Sequence, residues 1–96
     1  MLNNLQKRHL KALAHARKAV VIVGINGLTP AALGAIDEAL KYHELIKIRV
    51  NAADRESRTM LIAQICNALG SELVQRVGHI ATLFRRHPEA PRIQLP

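Results

Sequence analysis

The sequence predicts an α/β fold, a two-layer sandwich in which helices pack on a mixed four-stranded sheet. Three features of the 96-residue chain support this prediction: three segments with helical spacing of apolar residues, strand-like runs between them, and two short strands at the end. The predicted order is therefore α-β-α-β-α-β-β. Strand–helix–strand units imply at least one parallel pair, and the closing hairpin makes the sheet mixed. We expect the helices to cover one face of the sheet and to leave the other face exposed.

The first helix is predicted within MLNNLQKRHLKALAHARK, residues 1–18, with Asn3 or Asn4 as its N-cap. A turn of about 100° per residue places apolar and basic residues on opposite sides. The side expected to face inward carries Leu2, Leu5, Ala12, Leu13 and Ala16. The opposite side carries Lys7, Arg8, Lys11, His15 and Lys18. No acidic residue precedes Asp37, whereas an ordinary solvated helix usually mixes its charges.

The first strand and the second helix flank a turn bounded by glycines. AVVIV, residues 19–23, is short, β-branched and ended by Gly24, which is typical of a buried strand. Thr29 and Pro30 predict a helix start, because Thr is a good N-cap and Pro at the first helical position loses no hydrogen bond. The apolar stripe of this helix is formed by Leu33, Ile36 and Leu40.

The second strand is predicted at residues 44–51, ELIKIRVN, where apolar and charged residues alternate. Its inward face carries Ile46, Ile48 and Val50. Lys47 and Arg49 point to the other face, because successive side chains of a strand alternate. That face is therefore open to solvent or to a ligand.

The third helix and a hairpin complete the predicted fold. Asp54 caps a helix over RESRTMLIAQICNALG, and Gly70 ends it. Two strands near residues 73–78 and 80–85 follow. Gly78-His79 between them suits a two-residue type II′ turn.

The chain is predicted to form one domain over residues 1–86, followed by an extended, Pro-rich C-terminal tail over residues 87–96. Its single cysteine, Cys66, allows no internal disulfide, which fits a reducing compartment. The first residues lack the pattern of a signal peptide, and the longest aliphatic run is too short to cross a bilayer. We expect a cytoplasmic protein.

Composition favours a polyanionic partner. Fourteen Lys and Arg residues stand against seven Asp and Glu residues, giving a net charge of +7. Lys and Arg that neutralise phosphates release condensed counterions, so nucleic acid is the favoured partner, with acidic membrane or protein surfaces as alternatives. Tyr42 and Phe84 are the only Phe, Trp or Tyr residues, too few for a base-stacking platform. Recognition of structured RNA by its backbone and shape fits better.

The sequence offers little for catalysis or metal binding. The acidic residues are scattered over caps and helix faces, and none forms a convincing acid–base pair. Cys66 lies among apolar residues of a helix, as an inert core thiol does. The five histidines belong to separate faces or elements. We therefore expect no catalytic residue, no metal site, no cofactor and no small-molecule substrate.

GINGLT, which begins at Gly24, is the motif with the clearest chemistry. It lacks the spacing of a Rossmann turn or a P-loop. A GxxG turn before a capped helix lets the backbone approach a bulky anion, and N–H groups of the loop and helix start point at it. KH domains clamp the nucleic-acid backbone with a GxxG loop in this way. A tight structural turn is an equally good explanation of GxxG alone.

Together, LKALAHARKAVVIVGINGLTPAAL, HELIKIRV and LFRR resemble the CRM domain, in particular the small stand-alone bacterial RNA-binding proteins of the YhbY type. The resemblance extends from about Leu5 to Arg86. It implies RNA binding, as by intron-splicing factors of plant organelles and bacterial proteins associated with precursors of the large ribosomal subunit. It also implies a fold similar to the C-terminal domain of translation initiation factor three.

The resemblance also implies an RNA-binding surface. Its GxxG loop is Gly24, Ile25, Asn26 and Gly27, and its basic residues are Lys7, Arg8, Lys11, Lys18, Lys47 and Arg49. Relatives commonly have Lys or another polar residue where this chain has Ile25. Because an isoleucine cannot pair with phosphate, the loop is expected to act through backbone N–H groups, Asn26 and shape. Ile25 itself could pack against a ribose or a base.

These observations lead to one expected function and one alternative. The expected function is that of a non-enzymatic, monomeric protein that binds rRNA of the large-subunit precursor and assists its assembly, with no membrane partner. The alternative is a protein-interaction module that docks on an acidic ribosome-assembly partner.

Overall fold

The computed structural model describes all 96 residues and contains three helices and four strands in the predicted order. The helices are α1 (Asn4–Ala14), α2 (Pro30–His43) and α3 (Arg55–Leu69). The strands are β1 (Ala19–Val23), β2 (Leu45–Val50), β3 (Glu72–Val77) and β4 (Ile80–Phe84). None of the helices combines the length and the apolar character needed to cross a membrane.

Local sequence signals begin and end the helices as predicted. The Asn3 side chain accepts a hydrogen bond from the backbone N–H of Gln6 at 2.8 Å, and the Gln6 side chain accepts one in return. Thr29 and Asp54 cap α2 and α3 through the same kind of bond. Gly70, with φ of 63°, ends α3 in the left-handed conformation that glycine adopts without strain.

The four strands form one mixed sheet in the order β1-β2-β4-β3. β1 runs parallel to β2, and β4 is antiparallel to both β2 and β3. Gly78 has a φ of 58°, and His79, the second residue of the hairpin turn, does not have a positive φ. This pattern agrees with the predicted type II′ turn.

The larger core lies between one face of the sheet and the pair α2 and α3. It is aliphatic, as the composition requires, and consists of Val23, Ile36, Leu40, Ile46, Ile48, Val50, Ile62, Ile65, Ala81 and Leu83. The three inward residues predicted for β2 are all in this core. α2 and α3 therefore form the predicted helical layer.

α1 lies on the opposite face of the sheet, where it covers one end only. A second core joins Leu10, Ala14, Leu45, Val74 and Phe84. Leu45 and Phe84 are direct partners at the start of β2 and the end of β4. The expectation that the helices share one face is thus correct for α2 and α3 and wrong for α1. The rest of this second face, with Lys47 and Arg49, stays uncovered by a helix.

The predicted inward side of α1 is wrong. Leu5 and Leu13, expected inside, are 57% and 40% exposed, whereas Leu10 and Ala14 are buried. The helix contacts the sheet through a narrow i, i+4 stripe, so most of its circumference stays free. An apolar pattern alone cannot reveal which of several apolar stripes is covered.

β1 is an edge strand, and only Val23 of its five residues is buried. The prediction of a buried strand is therefore wrong for most of AVVIV. Val21 and Val23 point to the main core beside β2, but Ile22 points to the uncovered face and is exposed. An apolar run of this length cannot distinguish an edge strand from a central strand of the sheet.

The C-terminal segment, residues 87–96, has no helix or strand but is bound to the domain. Glu44 is fully buried, and its carboxylate accepts hydrogen bonds from the backbone N–H groups of His87, Arg92 and Ile93 at 2.8, 2.8 and 2.9 Å. Burial opposes ionisation, but these three donors outweigh it and hold the pKa of Glu44 below its usual value. Sequence reasoning assigned no such role to Glu44.

Arg85 joins α2, α3 and β4. Its guanidinium donates to the Asp37 carboxylate at 2.7 Å, to the Asp37 carbonyl at 3.1 Å and to the Leu69 carbonyl at 3.0 Å. The hydrogen bond from Arg85 lowers the pKa of Asp37, and burial opposes it only in part. Arg85 thus satisfies a carbonyl at the C-terminus of α3, which has no partner within the helix.

Arg85→Ala is expected to lower the free energy of unfolding by about 1–3 kcal/mol, because it leaves these partly buried acceptors without donors. Urea unfolding at neutral pH measures the loss. The neighbouring Arg86→Ala is the matched control, since Arg86 is exposed, and should stay within about 0.5 kcal/mol of the parent chain. Equal losses in the two variants would show that the Arg85 contacts contribute nothing.

Candidate nucleic-acid interface

The basic side of α1 borders the uncovered part of the sheet. α1 rests on the sheet through Leu10 and Ala14, and one flank of this stripe holds Gln6, whose side chain donates to the carbonyl of Pro96 in the C-terminal segment. At about 100° per residue, Lys7 and Lys11 fall on the other flank of the stripe. That flank is turned away from the C-terminal segment and toward the open sheet face.

The predicted basic residues of α1 and of the segment after it are accessible. Arg8, Lys11 and Lys18 are exposed, and Lys7 is half-buried beside the sheet. α1 ends at Ala14, so Lys18 lies in the connection to β1 and not in the helix. The basic side predicted for α1 therefore combines residues of the helix with Lys18 of the connection that follows it.

Strand register places Lys47 and Arg49 between α1 and the loop, an arrangement that the sequence alone could not show. Lys47 pairs with Ala19, directly after Lys18, and Arg49 pairs with Ile22. Lys47 and Arg49 share a face with Leu45, which packs against α1. The two side chains therefore continue the basic surface from α1 toward the end of β1.

The GxxG loop forms a turn at the carboxyl end of β1. The Gly27 N–H donates to the Gly24 carbonyl at 3.1 Å, and Gly27 has a φ of 85°. Ile25 is 84% exposed at the tip, and Asn26 beside it is also exposed. The five residues of β1 span about 16 Å, so the loop and the end of α1 lie at opposite ends of this strand.

The six predicted cations carry charges that no carboxylate neutralises. The ion pairs of the molecule join the N-terminal amine to Glu72 and join Lys41 and Arg85 to Asp37. None of them includes Lys7, Arg8, Lys11, Lys18, Lys47 or Arg49. Arg49 donates only to the neutral side chain of Asn51, at 3.0 Å. The surface therefore presents concentrated positive charge to an approaching anion.

Several other arginines are engaged within the protein. Arg58 donates to the carbonyl of Ala52 before α3, and Arg76 donates to the carbonyl of Arg55 at the start of α3. Arg92 donates to the carbonyl of Tyr42. Arg85 has the structural role described above. The exposed Arg86 lies outside the basic surface. A count of basic residues along the chain cannot distinguish arginines that are bound within the protein from those that are free to meet a ligand, because the difference depends on contacts remote in sequence.

Two residues beside the basic surface escaped sequence analysis. Arg17 and His43 line the same cleft as Lys18 and Lys47, although His43 belongs to the end of α2. The guanidinium of Arg17 donates to the carbonyl of Leu45 and is thereby fixed at the start of β2. No sequence signal indicates this cluster, because α2 separates its members along the chain.

The ionisable groups with shifted pKa values serve structural contacts. Burial raises the pKa of the half-buried Cys66 thiol, so this thiol stays protonated at neutral pH. The backbone N–H of Ser57 lowers the pKa of Asp54, the N-cap of α3. Asp54, Asp37 and Glu44 hold helices and the C-terminal segment through their hydrogen bonds. Charge is concentrated instead on the basic surface described above.

Comparison with known proteins gives a consistent assignment. A family model described as the CRS1/YhbY (CRM) domain matches residues 2–85. A Haemophilus influenzae protein named RNA-binding protein is 46% identical over 99% of this chain and 95% of its own length. The probable RNA-binding protein YqeI of Bacillus subtilis is 32% identical over the full length of both chains. The solution structure of a hypothetical Staphylococcus aureus protein, 33% identical, matches over the full length of both chains with a TM-score of 0.86. The chain belongs to the CRS1/YhbY (CRM) domain family.

Proposed function

We propose that this protein is a non-enzymatic RNA-binding protein that recognises structured rRNA and assists assembly of the large ribosomal subunit. Its interface comprises Lys7, Arg8, Lys11, Lys18, Lys47, Arg49 and the loop Gly24, Ile25, Asn26 and Gly27. The observation that supports it most is the arrangement of six cations without ion pairs along α1, β2 and the connection to β1. The names of its relatives point to the same chemistry.

The scarcity of aromatic residues favours recognition of backbone and shape. Phe84 lies in the core below α1, and Tyr42 is the only other Phe, Trp or Tyr side chain. A sheet face without rings cannot stack successive bases in the manner of single-strand binders. Lys47 and Arg49 on that face instead suit the phosphates of a folded RNA.

The GxxG loop allows the RNA backbone to approach closely and adds no charge to the interface. A Cβ atom added at Gly24 would meet no atom within 4 Å from residues beyond its two chain neighbours, so the space beside it is open. Backbone N–H groups of the loop and of the start of α2 can donate to phosphate oxygens there. The exposed Ile25 can contact a ribose or a base face, while Asn26 supplies a polar side chain.

The two loop glycines should respond differently to alanine. Gly27→Ala is expected to lower the free energy of unfolding by about 1 kcal/mol, because φ of 85° strains a residue with a Cβ atom. Gly24→Ala should change it by less than about 0.5 kcal/mol, because this glycine has no positive φ. RNA affinity of Gly24→Ala should nevertheless fall about fivefold if a phosphate backbone approaches here. Urea unfolding and RNA titration give the two quantities, and unchanged RNA affinity would remove the loop from the interface.

The assembly role is tested by sedimentation. An epitope-tagged protein in growing bacteria should sediment with precursors of the large subunit and be depleted from mature subunits. A tagged variant with Lys47→Ala and Arg49→Ala should stay near the top of the gradient, although it is folded. Sedimentation of the parent protein away from all ribosomal particles would contradict the assembly role while leaving RNA binding to be measured separately.

A further inference from the structure

A cleft of about 350 Å³ opens where the connection from α1 enters the sheet. Its apolar lining residues are Ala19, Val20, Leu45 and Ile46, of which Ala19 and Val20 are exposed and form an apolar wall. Its remaining lining residues are Arg17, Lys18, His43 and Lys47. The volume lies within the range of pockets that hold small organic groups, about 300–1,000 Å³. The cleft therefore combines an apolar wall with a cationic rim.

An irregularity in the pairing of β1 with β2 lies at this cleft. Ala19 pairs with Lys47 and Val21 pairs with Ile48, so Val20 has no partner in β2. Such a bulge leaves the extra residue outside the ladder and changes the direction of its side chain. Bulges are frequent beside binding sites, where they re-aim a side chain or interrupt pairing. Here the bulge lies in the wall of the cleft.

Ring systems lie beside the same cleft. His43 lines it, and the ring of Tyr42 follows at a centroid distance of 6.4 Å, tilted by 47°. Tyr42 is 63% exposed, whereas Phe84, the other Phe, Trp or Tyr residue, is buried. The exposed Tyr42 ring is thus a neighbour of the His43 ring, and the His43 ring itself lines the cleft, where a planar group can stack on it.

The charge around the cleft has one sign. No carboxylate lines it, although Glu44 lies between His43 and Leu45 in sequence. The Glu44 carboxylate is buried and directed to the N–H groups of the C-terminal segment. Arg17, Lys18 and Lys47 therefore face the cleft without a counter-charge of the protein.

We propose that the cleft binds one unpaired nucleotide of the RNA, a proposal that rests on the RNA-binding function above. The base lies against the apolar wall at Val20 and stacks on the His43 ring, with Tyr42 at the rim. The flanking phosphates lie on Lys18 and Lys47. This binding mode predicts that the preferred ligand is a helical RNA interrupted by an unpaired nucleotide, because only an unstacked base can enter the cleft.

The test uses two RNA hairpins that differ by a single unpaired adenosine in the stem. The parent protein is expected to bind the hairpin with the unpaired adenosine about tenfold more tightly, in the range that stacking of one base provides. Ala19→Ile fills the cleft from an exposed position and should abolish this preference without weakening binding of the fully paired hairpin. Ala68→Ile, the same change at an exposed site of α3, should keep the preference. His43→Ala should reduce the preference as well.

A fluorescent probe locates the base directly. With 2-aminopurine as the unpaired nucleotide, the parent protein should change the emission, and Ala19→Ile should not. Equal affinity of the parent protein for both hairpins would overturn the cleft proposal and leave RNA binding intact. A preference that Ala19→Ile and Ala68→Ile both retain would overturn it too. Failure to bind either hairpin would contradict the proposed function itself, and the cleft proposal with it.

Discussion

Replacement of Lys18, Lys47 and Arg49 by alanine is expected to weaken binding of structured RNA roughly a hundredfold at low salt. These three cations connect α1 with the loop, and none is neutralised by a carboxylate. Lost phosphate contacts lower the affinity for all RNA sequences alike, because phosphates carry no sequence information. Filter binding or fluorescence anisotropy with a folded rRNA fragment measures the loss.

A matched variant separates the surface from net charge. Lys41→Ala, Arg55→Ala and Arg86→Ala together remove the same number of positive charges from exposed sites outside the proposed interface. This control should bind RNA within about threefold of the parent chain, because distant exposed charges are screened. Thermal unfolding should show that both triple variants are folded. Equal weakening in the two variants would show that only total charge matters and would contradict the assignment of the interface.

Glu44→Gln is expected to lower the free energy of unfolding by about 2–3 kcal/mol. The buried carboxylate accepts hydrogen bonds from three backbone N–H groups. Glutamine replaces one of its oxygens with an NH2 group, which cannot accept a hydrogen bond from these donors. The substitution should also loosen residues 87–96, which these bonds hold against the domain. Urea unfolding at neutral pH measures the loss, and Glu38→Gln on the exposed side of α2 is the matched control.

The same carboxylate predicts how stability depends on pH. Its pKa is lower in the folded protein than in the unfolded chain, where it is near the usual 4.5. The folded state therefore gains stability from Glu44 above that value and loses the gain as the pH falls through the folded pKa. The difference in unfolding free energy between the parent chain and Glu44→Gln should accordingly be full at pH 7 and shrink in strong acid. A difference independent of pH would contradict this role of the ionised carboxylate.

The order of elements could be predicted because its signals are local. The Asn3, Thr29 and Asp54 caps, the Gly70 helix end and the alternation of β2 each act within a few residues. The buried side of α1 and the edge position of β1 could not, because both depend on which other elements cover them. Glu44 was missed for the same reason: its partners lie 43 to 49 residues further along the chain.

The candidate site was predictable in its members and not in its arrangement. The family resemblance supplied the six cations and the loop, and their RNA contacts stay a prediction. The register of β1 with β2 then places Lys47 beside Lys18 and Arg49 near the loop, a relation that no local pattern contains. Arg85 shows the reverse case, since an arginine at the end of a strand looks solvated until Asp37 is placed beside it.

The most direct test is the salt dependence of RNA binding by the parent protein and by the Lys18, Lys47 and Arg49 triple variant. If all six cations contact phosphates, the logarithm of the association constant should fall with the logarithm of salt concentration with a slope of roughly −4 to −5. The triple variant should show a slope that is shallower by about 2 to 3. A slope near zero for the parent protein, or an unchanged slope in the variant, would contradict phosphate binding by this surface and favour docking on a protein partner.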